Sequence, residues 1–123
     1  MRPHRMSRPT LLIVDDHATF RATARALLEI DGFEVVGEAG DGHTGIAAAA
    51  DLNPDVVLLD VRLPDMNGFA VAERLTQGDG GPVVVVTSSS DDPLYPARAR
   101  QNGARGFVAK HDLSGAALAR FLT

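Results

Sequence analysis

Cysteine and tryptophan are absent from this 123-residue chain, tyrosine occurs once and phenylalanine five times. Without thiols there is no disulfide, no thiolate metal site and no cysteine nucleophile, although this does not fix the compartment. No apolar run approaches the ~20 residues that span a bilayer. Excess positive charge is missing too. Sixteen Asp and Glu against twelve Lys and Arg give a net charge of −4, which argues against a general nucleic-acid-binding surface. The opening "MRPHRMSRPT" is basic but leads into no apolar segment, so it is no secretory signal. Residues 1–9, with Arg2, Arg5 and Arg8, are expected to form a disordered solvated tail, and the protein is expected to be cytoplasmic.

What is present suits one soluble domain over residues 10–123, with 45% hydrophobic and 23% charged residues. Five short apolar runs stand out: "TLLIV" (10–14), "FEVVGEA" (33–39), "DVVLL" (55–59), "PVVVVT" (82–87) and "GFVAK" (106–110). Three are continuous and rich in Val, Ile and Leu, as strands buried on both faces are. Each gap has room for one helix, as a right-handed crossover between parallel strands requires.

The gaps carry helical signals. Phe20, Ala24, Leu27 and Leu28 form one apolar stripe, which Asp31-Gly32 ends. "GHTGIAAAADL" is closed by Asn53-Pro54, because the residue before proline avoids the α region. "NGFAVAERLTQ" is expected to run to Gly78. "DDPLYPARARQ" begins with capping aspartates and a proline in the first turn. "DLSGAALARFL" sets Leu113, Ala117 and Phe121 on one face, with Asp112 as its expected cap. The result is (βα)5, an α/β doubly wound five-stranded parallel sheet with helices on both faces. Ligands of such sheets sit at the carboxyl ends of the strands.

Those ends hold polar groups. The first run leads into Asp15-Asp16 and the third into Asp60. The fourth ends in Thr87, with Ser88, Ser89 and Ser90 behind it, and the fifth in Lys110. Three carboxylates together repel unless a cation shares them. An oxygen-only site with open positions suits Mg2+. A cation beside a lysine and a hydroxyl points to phosphoryl chemistry, with Asp60 placed to act as the nucleophile and become an acyl phosphate.

The motifs "VDD" (14–16), "LLDVRLPDMNG" (58–68), "VVVVTSS" (83–89) and "GARGFVAK" (103–110) resemble the receiver domain of bacterial two-component response regulators. The likeness covers about residues 10 to 122. "GARGFVAKHDLSGAAL" looks closest to receivers of LuxR/NarL-type regulators. The resemblance implies the flavodoxin-like strand order 2-1-3-4-5 and phosphorylation of Asp60 by a sensor histidine kinase, a phosphotransfer protein or a small phosphodonor. It implies Mg2+ held by Asp15, Asp16, Asp60 and the backbone carbonyl of Arg62, and phosphoryl contacts from Thr87 and Lys110. Phe107 becomes the switch aromatic, and Pro64 and Gly68 shape the loop after Asp60. The output is an unknown partner or a C-terminal DNA-binding domain, with homodimerisation through the fourth helix, fifth strand and fifth helix as a further expectation. Many receivers carry proline after the lysine. Here the residue is His111, so no cis bond is assumed.

Rival readings remain. An Mg2+-dependent aspartyl phosphatase usually carries a second aspartate two residues after the nucleophile, where this chain has Arg62. A flavin-binding or purely scaffolding member of the fold class is the third reading, weakened by the scarce aromatics and by the presence of all five polar strand-end residues. The expectation is therefore a signalling switch and not an enzyme. His4, His17, His43 and His111 show no ligand spacing, and His17 reads as a helix-start residue. Arg98, Arg100 and Arg105 are either a solvated face or part of a partner surface.

Overall fold

The computed structural model describes residues 8–123, so the tail expected over 1–9 lies outside it except for Arg8, which is exposed, and Pro9. All five apolar runs form parallel strands: β1 Thr10–Val14, β2 Glu34–Ala39, β3 Val56–Asp60, β4 Val83–Ser88 and β5 Gly106–Ala109. The sheet order is β2-β1-β3-β4-β5. Helices α1 (Ala18–Ile30), α2 (Gly42–Leu52), α3 (Gly68–Leu75), α4 (Tyr95–Gln101) and α5 (Gly115–Ala119) fill the crossovers and follow the last strand. Among the described residues no helix is long and apolar enough to cross a membrane.

The continuous apolar runs are explained by burial on both faces. Side chains alternate across a strand. Leu12, Val14, Val57, Leu59, Val84 and Val86 therefore share one core with Phe69, Val71, Ala72, Tyr95 and Ala99 of α3 and α4. Leu11, Ile13, Val56, Leu58 and Val85 face the other way, against Ala24 and Leu28 of α1 and Leu118 of α5. Each fully buried Val, Leu or Ile contributes roughly 1.5–3 kcal/mol, so β1, β3 and β4 anchor the sheet. Their carboxyl ends inherit that rigidity.

Local signals set most helix boundaries. Asp41 caps α2 by accepting from Thr44 N, and Asn53 closes it in the left-handed region at φ 47. Asn67 caps α3 by accepting from Phe69 N. Three expectations are corrected. Helix α3 stops at Leu75, short of Gly78, because the Thr76 hydroxyl donates to the Ala72 carbonyl at 2.8 Å and Thr76 becomes the C-cap. Helix α4 starts only at Tyr95, because the Asp92 carboxylate is occupied by Leu94 N in the preceding turn. Helix α5 is capped by Ser114, which accepts from Ala117 N, while Asp112 lies in a 3₁₀ turn over Lys110–Asp112. The same turn ends β5 at Ala109, so Lys110 stands one residue beyond the strand. No peptide bond among the described residues is cis.

Candidate functional site

Two parallel ladders fix the centre of the site. On β3 and β4, Asp60 is the direct partner of Thr87. On β4 and β5, Thr87 is the partner of Val108. Asp15 follows β1, and its N–H donates to the Ala39 carbonyl of β2 at 2.9 Å. Asp15 and Thr87 are wholly buried, Asp60 is nearly so, and Asp16 is exposed.

Lys110 bridges the carboxylates. Its Nζ lies 2.7 Å from Asp15 Oδ2 and 3.7 Å from Asp60 Oδ2. The ammonium also sits 4.2 Å from the centre of the Phe20 ring, a favourable cation–π placement in a partly dehydrated cleft. One positive charge does not neutralise two buried negative ones. Burial first, then the Asp15 carboxylate, push the Asp60 pKa up to about 6, against the pull of Lys110 and the Arg62 N–H.

This donor set fits a divalent cation. One ligand atom from each of Asp15, Asp16, His17 and Asp60 lies within 4.8 Å of every other. The excess negative charge is what a hard cation would satisfy. The cleft beside Asp60, of about 160 Å³, is lined by His17, Arg62, Ser88, Ser89, Ser90 and Lys110.

The other expected residues fall around this centre. Arg62 is exposed and pairs with Asn67 in an isolated bridge. Pro64 is exposed on the same loop. Gly68 closes the loop by donating from its N–H to the Val61 carbonyl at 2.6 Å. A Cβ at Gly68 would stand 2.1 Å from the Asp60 carbonyl oxygen, so the close approach requires glycine. The Thr87 hydroxyl does not face Asp60 here, because it donates to the Val108 carbonyl at 2.6 Å. Phe107 is half-buried and meets Tyr95 edge-on, with ring centres 5.6 Å apart. Of the arginines, Arg98 stacks over Phe69, Arg105 donates to the Phe121 carbonyl, and Arg100 is exposed.

Several contributors escaped the sequence reading. Arg21 donates to the Asp15 carbonyl at 2.6 Å and pairs with Glu38 on β2, fixing the turn that carries the acidic pair. Tyr95 joins Phe69 to Phe107 in one aromatic chain. Asp65 accepts from Gly42 N and His43 N, tying the loop after Asp60 to the start of α2. Each acts through a partner distant in sequence, and periodicity carries no signal for that.

An acidic rim facing a lysine, with a threonine beside it on the next strand, at the carboxyl edge of a 2-1-3-4-5 parallel sheet, defines a receiver-type signalling domain. The model of the response regulator receiver domain matches residues 11–118, and the chain belongs to that family. It is 40% identical over 103 residues to BvgA of Bordetella pertussis, covering 83% of this chain and 49% of that protein. It is also 40% identical over 114 residues to the response regulator GacA of Pseudomonas viridiflava, covering 91% and 51%. The chain thus spans about half the length of these curated relatives. Among solved structures, the signal receiver domain of NarL from Mycobacterium tuberculosis matches with a TM-score of 0.84 at 31% identity, over 94% of this chain and 98% of that one. A LuxR-family two-component response regulator from Aurantimonas sp. matches at 0.82 and 29%, over 93% and 81%.

Proposed function

We propose that this receiver works by reversible phosphorylation of Asp60. A carboxylate oxygen of Asp60 attacks phosphorus while the bond to the donor breaks, and the donor leaves with the electron pair. The donor is the phosphohistidine of a sensor kinase or phosphotransfer protein, or a small phosphodonor. With a pKa near 6, Asp60 is mostly the nucleophilic carboxylate at neutral pH. Asp15, Asp16, Asp60 and the Arg62 carbonyl would hold Mg2+. When bound, that ion would draw charge from the transferring phosphoryl oxygens. Lys110, already between the two buried carboxylates, is within reach of an added phosphoryl group.

Thr87 and Phe107 supply the switch. The Thr87 hydroxyl would leave Val108 for a phosphoryl oxygen, losing about 1 kcal/mol. Phe107 would turn inward and give up its edge-on contact with Tyr95, about another 1 kcal/mol. Inverting a 1:99 population needs about 5.5 kcal/mol of differential contact. Holding the inactive state therefore consumes only part of what charge-assisted phosphoryl contacts can supply. The surface that changes is α4, β5 and α5, which would bind an output partner, an attached DNA-binding domain or a second copy. The protein signals and does not turn over substrate in this reading, since Arg62 occupies the position where an aspartyl phosphatase places its acid.

The observation that carries this reading is the buried Asp15–Lys110–Asp60 bridge beside Thr87. The test is to add Mg2+ and a small phosphodonor, or beryllofluoride as a phosphoryl mimic. A phosphoryl mass increment and shifted amide resonances for Thr87 and Phe107 are expected in wild type, and neither in Asp60→Asn. Spectra and mass unchanged in both proteins would overturn the proposal.

A further inference from the structure

His17 stands between the acidic pair and α1 and occupies the N-cap position, but its side chain makes no capping hydrogen bond. The imidazole is turned instead toward the carboxylates. Its Nδ1 lies 3.2 Å from Asp15 Oδ1 and 3.1 Å from Asp16 Oδ1. The backbone holds it there, because His17 N donates to Asp15 Oδ1 at 2.8 Å. We propose that His17 Nδ1 is a ligand of the cation site, giving it a preference for borderline first-row divalent ions, such as Co2+ and Ni2+, over Mg2+. This rests on reading the acidic cluster as a cation site.

Geometry supports the assignment. Adjacent ligands of an octahedral ion with bonds of about 2.1 Å stand roughly 3 Å apart. The separations of Nδ1 from both carboxylate oxygens match that edge length, so the ring can share an ion with either aspartate without moving far. A second observation is the charge balance: Lys110 Nζ pairs with the wholly buried Asp15 Oδ2 at 2.7 Å, but one ammonium serves both Asp15 and Asp60, so the cluster keeps excess negative charge.

Ligand chemistry gives the direction of the preference. Mg2+ favours oxygen ligands and retained water, whereas imidazole nitrogen suits the later transition ions. A site of carboxylates alone discriminates weakly, and one imidazole tilts it. The simpler alternative is that Nδ1 carries a proton and donates it to the two carboxylates. A protonated Nδ1 cannot ligate, so the two arrangements exclude each other and can be told apart.

The experiment uses the full chain with Mn2+ as the probe, in wild type and His17→Gln. Titration by electron paramagnetic resonance gives affinity, and pulsed measurements detect nitrogen bound to the ion. Direct nitrogen coupling in wild type is expected, lost in His17→Gln. The same substitution should weaken Co2+ about tenfold and Mn2+ less, while changing Mg2+ affinity less than about twofold. Mn2+ bound without nitrogen coupling, or Co2+ bound with equal affinity in the two proteins, overturns the role of His17 and leaves the cation site standing. Failure of wild type to bind either Mn2+ or Mg2+ overturns the cation site itself and this inference with it.

Discussion

Lys110 is closer to Asp15 than to Asp60: its ammonium nitrogen lies 2.7 Å from the first carboxylate and 3.7 Å from the second. Before any phosphoryl group arrives, this lysine separates two buried negative charges. Replacing it by methionine is expected to destabilise the domain by roughly 3 kcal/mol at neutral pH, because an uncompensated pair remains inside. The loss should shrink at pH 5, where Asp60 takes up a proton. Urea unfolding of wild type and Lys110→Met at both pH values checks this, and equal losses would count against it.

Asp60 itself carries a cost. Its folded pKa of about 6, against an ordinary 3.8, means the folded state holds its proton more tightly than the unfolded chain. Stability from this group therefore rises as pH falls from about 7 to about 4. The gap corresponds to at most about 3 kcal/mol. Asp60→Asn should exceed wild type in thermal stability at pH 7.5, and the advantage should fade toward pH 4. Mg2+ should raise the wild-type midpoint at pH 7.5 and leave that of Asp60→Asn nearly unchanged. Parallel pH profiles for the two proteins would refute the assignment.

Asp65 behaves in the opposite sense. The Gly42 N–H, then the His43 N–H, lower its pKa from 3.8 to about 2. Its contribution is fully present above about 4 and is lost as pH falls through about 2. The stability difference between wild type and Asp65→Asn is expected to close between about pH 4 and 2. A difference that persists at pH 2 would show that the carboxylate charge is not what holds the loop to α2.

Glycine substitutions separate close approach from backbone conformation. At Gly68 a Cβ would collide with the Asp60 and Val61 backbone. Gly68→Ala is expected to cost at least about 2 kcal/mol and to weaken Mg2+ binding, since the displaced backbone carries Asp60. At Gly78 the φ is +78 but nothing lies within 4 Å, so Gly78→Ala should cost only about 1 kcal/mol and leave Mg2+ affinity alone. Calorimetric titration with Mg2+ and urea unfolding on both variants decide the point.

The strands and the rim were legible because their causes are local. A run such as Val56–Leu59 has one physical explanation, burial on both faces, and the polar residues that follow four of the five runs mark the rim. Helix ends were less legible where two capping residues compete. Asp112 and Ser114 are both suitable, and the 3₁₀ turn that follows β5 decides between them. The aim of the Thr87 hydroxyl, the latch at Asp65 and the seat of Tyr95 depend on residues brought close only by folding.

The ladder pairing of Asp60 with Thr87 has a wider consequence. Neighbouring strands repeat at about 4.8 Å whatever their side chains. The backbone spacing of the Asp60 and Thr87 positions is therefore a property of the sheet, and surrounding loops can be exchanged to suit new partners without resetting it. Insertions are tolerable in the connecting loops and not inside β3 or β4. There a slip of one residue would present Val86 or Ser88 to the carboxylate and turn every neighbouring side chain to the opposite face.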